Sequence, residues 1–98
     1  MYARINTTEW NPEYVEAGMR LTEEKIIPGY QAHPGFRGYI LLTEPGGGEH
    51  AVAITLWDSE ENMTSSAGIA RAMVAELGDV LRVPPKTEHY EVRFFVPE

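Results

Sequence analysis

The side chains able to do chemistry are few and scattered. His33, His50 and His89 each stand next to a turn or the start of a strand, and none has a second histidine or a carboxylate four residues further along a helix, as a metal motif requires. They can still meet across a dimer, but within one chain they assign neither a metal nor a general base. Ser59, Ser65 and Ser66 lack a Gly-x-Ser-x-Gly context, and Gly46-Gly47-Gly48 precedes a strand instead of a helix. Neither a nucleophile elbow nor a phosphate loop follows. Two polar residues remain as candidates. Asn6 shares its strand parity with Tyr2 and Arg4, and Arg71, between Ala70 and Ala72, can bind an acidic or phenolate oxygen if it points inward. Each has an ordinary competitor: an Asn bonded locally to backbone, and an Arg facing water beside an acid.

The elements that must position these residues read off in order. Tyr2 to Thr8 alternates around Ala3, Ile5 and Thr7, with the β-branched content of a strand. Asn11-Pro12-Glu13 starts a helix, with Asn11 able to accept from free backbone N–H groups, Pro12 pre-set for the first helical position and Glu13 complementing the dipole. The helix runs to about Ile27, with Val15, Met19, Thr22 and Ile26 on one face, and Pro28-Gly29 ends it. Phe36 to Thr43 and His50 to Trp57 form a hairpin around the Gly-rich segment 44–49. Both strands are apolar at both parities, so neither sheet face is made for water. Asp58-Ser59-Glu60-Glu61 resembles a capping box, and Met63, Ala67, Ala70, Met73, Val74 and Leu77 then repeat at helical spacing until Gly78. Met19, Met63 and Met73 belong to the core on this reading. A last strand spans Glu88 to Val96, with Tyr90, Val92, Phe94 and Val96 on one face.

Composition bounds the class. A chain of 98 residues, 43% hydrophobic and 23% charged, makes a single domain over residues 1–98. With no cysteine, a disulfide framework, a thiol nucleophile, an iron–sulfur cluster and every thiolate zinc site are excluded. The net charge of −7 gives the phosphate term the wrong sign for nucleic acid or an anionic membrane. No basic-then-apolar leader is visible and no stretch approaches the roughly 18 apolar residues of a membrane span, so the expected location is the cytoplasm. No cofactor motif is visible.

The order strand, helix, strand, strand, helix, strand predicts an α+β, ferredoxin-like βαββαβ fold: a four-stranded antiparallel sheet with both helices on one face. The other face then has no cover. An exposed sheet face holding several large aliphatics would exceed the roughly few hundred Å² usual for a monomer. A homodimer packing sheet against sheet is expected.

Pro34-Gly35-Phe36-Arg37-Gly38, the phrase Ala53 to Glu61 around Trp57, and Tyr90-Glu91-Val92 together resemble the dimeric α/β-barrel superfamily, particularly the antibiotic biosynthesis monooxygenase-like group. The likeness covers nearly the whole chain and is more specific for fold than for reaction. It implies a pocket between sheet and helices lined by Trp57, with Ala51, Ala53 and Thr55 on the same side. It also implies a small apolar or aromatic ligand and, in an enzyme, cofactor-independent oxygenation of an electron-rich substrate, with Asn6, Trp57 and Arg71 as the catalytic candidates. The monooxygenases of that group hold substrate oxygens with an asparagine four residues before the tryptophan and a tyrosine early in the next helix. Ala53 and Met63 stand there in this chain, and neither can donate a hydrogen bond to a phenolate. Haem-degrading members use a histidine on the second helix, and none occurs between Met63 and Leu77. The alternative is a non-catalytic ligand-binding or interaction module on the same fold.

Overall fold

The computed structural model covers residues 1–98. Strand β1 (Tyr2–Glu9) leads through a 3₁₀ turn (Pro12–Tyr14) into α1 (Val15–Leu21), a π-helical turn (Thr22–Ile26) and α2 (Ile27–Gln31). The hairpin β2 (Phe36–Thr43) and β3 (His50–Trp57) follows, then α3 (Glu60–Ser65), α4 (Ala67–Leu77), a 3₁₀ turn (Gly78–Val80) and β4 (Lys86–Glu91). All strand pairs are antiparallel, in the order β2-β3-β1-β4, which is the ferredoxin-like arrangement expected. No helix is long and apolar enough to cross a membrane.

Register sorts the side chains. Tyr2, Arg4, Asn6 and Thr8 lie on the helix-facing side with Trp57, Thr55, Ala53 and Ala51 opposite them on β3 and Glu91, His89 and Thr87 on β4. Strand alternation sends Ala3, Ile5, Ile40, Leu42, Val52, Ile54, Leu56 and Tyr90 to the other face. Leu42 and Tyr90 are about half exposed there, at 49% and 50%.

Four local expectations are corrected. Pro28-Gly29 does not end the first helix, which continues to Gln31. The π-turn explains why: the Ile27 N–H bonds to the Thr22 carbonyl, one residue further back than in an α-helix, so the ladder has already shifted when it reaches the proline. Asn11 makes no side-chain cap; its Nδ2 instead donates to the Asp79 carbonyl at 2.6 Å and ties the helix start to the turn after α4. The second helix is broken at Ser66, whose buried hydroxyl donates to the Met63 carbonyl at 2.6 Å. The last strand stops at Glu91; the Val92 N–H makes one further bond, to the Met1 carbonyl, and Phe94 and Val96 stand 88% and 85% exposed beyond it. β1 reaches no further than that point, so residues past Val92 have no strand to pair with. The second cap is as expected, with the Ser59 hydroxyl accepting from the Asn62 N–H at 3.1 Å.

Two clusters make the core on the helix side. Ile26, Tyr30, Trp57 and Met63 form one, with Phe36, Tyr39 and Met73 packed against it. Trp10, Ala51 and Val80 form the other, with Met19, Leu41 and Leu77 around them. Gly18 lets α1 approach Trp10 closely: a Cβ there would stand 2.8 Å from both the indole and Val80.

Candidate functional site

Trp57 lies at the end of β3 and is fully buried. Its indole meets His33, Phe36 and Tyr30 edge-on at centroid distances of 5.4, 5.7 and 6.0 Å, and its Nε1 donates to Thr55 Oγ1 at 2.9 Å. The strand–helix corner is therefore packed solid with aromatic rings, and the indole's one polar group is satisfied inside the strand. Burial pushes the Tyr39 phenol up to about 12 and raises that of Tyr30 as well, so neither ring supplies a phenolate base near neutral pH.

The hollow lies elsewhere. Between α4 and the pair β1–β4 is a cavity of about 330 Å³, lined by Arg4, Asn6, Ala67, Ala70, Arg71, Val74, Pro85, Thr87 and His89. It exists because α4 presents Ala67 and Ala70 to the sheet, and methyl groups cannot fill the space that the larger residues of the core occupy. A narrow crevice of about 40 Å³ continues inward, sharing Asn6, Ala70, Val74 and Pro85 and closed by Met73, Leu77, Leu41 and Tyr39.

Of the residues singled out from sequence, Asn6 and Arg71 come together at this cavity and Trp57 does not line it. Asn6 is not bonded to local backbone: its Oδ1 accepts from Thr87 Oγ1 across the β1–β4 pair at 2.6 Å. That bond leaves the Asn6 amide nitrogen as a donor for the cavity. Arg71 is exposed at the mouth and takes part in no ion pair. Ala53 and Thr55 face the inner crevice, as strand parity requires, whereas Ala51 packs in the core against Trp10.

Arg4 was not singled out from sequence, although the signal was present: its parity with Asn6 places a guanidinium on the helix-facing side of a central strand. It is 2% exposed and donates to Ser66 Oγ (2.8 Å), the Met63 carbonyl (2.6 Å) and His89 Nε2 (3.3 Å). The last contact requires Nε2 of His89 to be unprotonated, which puts the proton of the neutral ring on Nδ1. Burial lowers the Arg4 pKa, opposed by the nearby Tyr30 phenol, yet a guanidinium so far above neutrality stays charged. The histidines stand apart: His33 on Trp57, His50 at the hairpin between Glu9 and Glu44, and His89 at the cavity.

No family model matches the chain, and no curated protein matches it significantly. Solved structures do. A Nitrosomonas europaea protein provisionally named an antibiotic biosynthesis monooxygenase superposes with a TM-score of 0.79 at 16% identity, covering 96% of this chain and 100% of that one. The monooxygenase from the gene ActVA-Orf6 of Streptomyces coelicolor, solved with the ligand nanaomycin D, gives 0.71 at 19% identity over 99% and 91%. A variant of MhuD holding two manganese protoporphyrin IX molecules per active site gives 0.73 at 22% identity over the full length of both chains. This chain therefore shares, over nearly its whole length, the fold of structures that include named monooxygenases.

Proposed function

We propose that the protein binds a small, mostly apolar or aromatic molecule in the cavity between α4 and the β1–β4 pair, and that it works as a homodimer closed sheet to sheet. The cavity carries the reading. At about 330 Å³ it falls in the range of small-molecule sites, roughly 300–1,000 Å³, and it combines apolar walls with a few convergent polar groups. Asn6 and Arg71 are the side chains that would orient a ligand oxygen, while Trp57 acts through the fold. The dimer rests on the uncovered sheet face, where Ile5, Ile40, Leu42, Val52 and Ile54 stand together without a helix over them.

Calorimetric titration with 2-naphthol, a neutral aromatic probe, tests the first part. One saturable site per chain is expected, lost in Ala70→Phe, whose ring fills the cavity; no saturable heat up to millimolar probe would overturn the reading. Sedimentation equilibrium tests the second, with a dimer expected for the native chain and a monomer for Ile54→Lys. A native chain that is monomeric at micromolar concentration removes the sheet-on-sheet assembly.

A second reading, oxygenation in the same cavity, is favoured by the monooxygenase names of the fold neighbours. The substrate itself would supply both electrons, so that one atom of O₂ enters the product and the other leaves as water; the protein's part is to hold the substrate and keep water out. Oxygen uptake with anthrone, yielding anthraquinone and water, that disappears in Ala70→Phe would support it. Uptake unchanged by that substitution would reject it.

A further inference from the structure

The cavity wall has a charge pattern that the chain as a whole does not. The sequence holds 15 acidic and 8 basic residues, yet the cavity lining includes two arginines and a histidine and no acid. Arg4 is the sharper case. Its guanidinium is held by neutral groups alone: His89 Nε2, Ser66 Oγ and the Met63 carbonyl accept from it, and the Tyr30 phenol lies beside it. No carboxylate lies within the 4.0 Å of an ion pair from it; Glu60, the acid that shares a neighbouring recess with Arg4 and His89, is beyond that distance. A buried charge without a counter-charge is costly, and such groups are ordinarily paired. Arg71 stands at the mouth of the same cavity and is likewise unpaired.

We infer that the ligand is an organic anion: a carboxylate attached to an apolar or aromatic body, with its oxygens on Arg71 in the field of the buried Arg4 charge and its body against Ala67, Ala70 and Val74. The exposed Arg71 guanidinium matches a carboxylate in plane and spacing, the buried Arg4 charge adds to the attraction, and the small apolar wall of α4 accepts a flat group beside them. In this arrangement the ligand is the missing counter-ion of Arg4. His89, accepting from Arg4 Nε, holds the guanidinium in place together with Ser66 and the Met63 carbonyl. The inference rests on the ligand-binding reading of the cavity and adds the charge of its occupant.

The two can fail separately. Calorimetric titration compares 2-naphthoate with 2-naphthamide, equal in shape and differing in charge. Naphthoate is expected to bind at least about tenfold more tightly, in line with hydrogen bonds to a charged group. In Arg71→Gln, exposed and therefore harmless to the fold, naphthoate should lose most of that advantage, so that the ratio of the two affinities falls toward one. Arg4→Met removes the buried charge and should weaken naphthoate alone; its folding is checked by circular dichroism, and the Arg71→Gln result decides the assignment if it does not fold. Equal affinity for the two probes would overturn the anion assignment and leave the cavity a binding site. Binding of neither would overturn both readings, and a naphthoate preference untouched by Arg71→Gln would remove Arg71 from the site.

Discussion

The two halves of the helix-covered sheet face are built on opposite plans. Over β2 and β3, Trp57, Tyr30, Phe36 and Tyr39 fill the space with rings, and the indole N–H of Trp57 is satisfied inside its own strand. Over β1 and β4, alanines replace rings, and polar and charged groups border an open hollow. The same fold thus spends its large side chains on one side and leaves room on the other. Stability should be concentrated in the filled half and tolerance of change in the hollow half.

The strongest attack on that contrast is Trp57→Ala, which removes a fully buried indole from the centre of the ring cluster. A loss of about 3–5 kcal/mol in urea unfolding is expected, a large share of what a domain of this size has. A loss under about 1 kcal/mol would show that the corner is not the anchor. Thr55→Val is subtler, since it keeps the volume and deletes the acceptor of the indole N–H. Leaving that donor buried and unpaired costs about 1–3 kcal/mol. In the hollow half, Ala70→Leu adds methylenes where space exists and should change stability by less than about 1 kcal/mol. A penalty as large as that of Thr55→Val would mean that the cavity closes in solution.

The smallest effect belongs to the hairpin end, outside both halves. Glu44 accepts from the His50 ring at 3.0 Å, which raises the His50 pKa and lowers that of Glu44, Glu9 and Glu49 adding to the rise. A raised histidine contributes stability below its ordinary range and loses it as pH rises through its folded value. A lowered carboxylate contributes above its ordinary range and loses it as pH falls through its folded value. The pair thus helps most at about pH 5–6. His50→Gln should therefore be less stable than the native chain in that window and equal to it by about pH 8, with exposure keeping the difference small.

Much of this was legible in the sequence because periodicity and turn chemistry agree locally. The hairpin is the clearest case: two strands apolar at both parities flank a Gly-rich connection, and the structure begins and ends them at the residues expected. Pro28 misled because a proline normally stops an α-helix, and the π-turn that accommodates it leaves no compositional trace. The run from Val92 to Val96 misled because alternation marks a segment that can be a strand, while pairing needs a neighbour of sufficient length. That Asn6 lies on the helix-facing side was readable from parity; that Arg71 lines the same cavity depends on how α4 packs on the sheet, which the sequence does not print. That Trp57 stands off the cavity was not, since it depends on where α2 places Tyr30 and on the hairpin placing Phe36, which is long-range geometry.

The two tryptophans turn back in the same way: Trp10 Nε1 donates to Thr8 Oγ1 and Trp57 Nε1 to Thr55 Oγ1, each two residues upstream. Register sets them at opposite ends of the sheet, Trp57 beside Tyr2 and Trp10 beyond the Glu9–His50 pair. Each end of the protein thereby carries a dry, hydrogen-bonded fluorophore of its own. Trp10→Phe and Trp57→Phe would leave one emitter apiece, each reporting by a red shift when water enters its own end of the sheet.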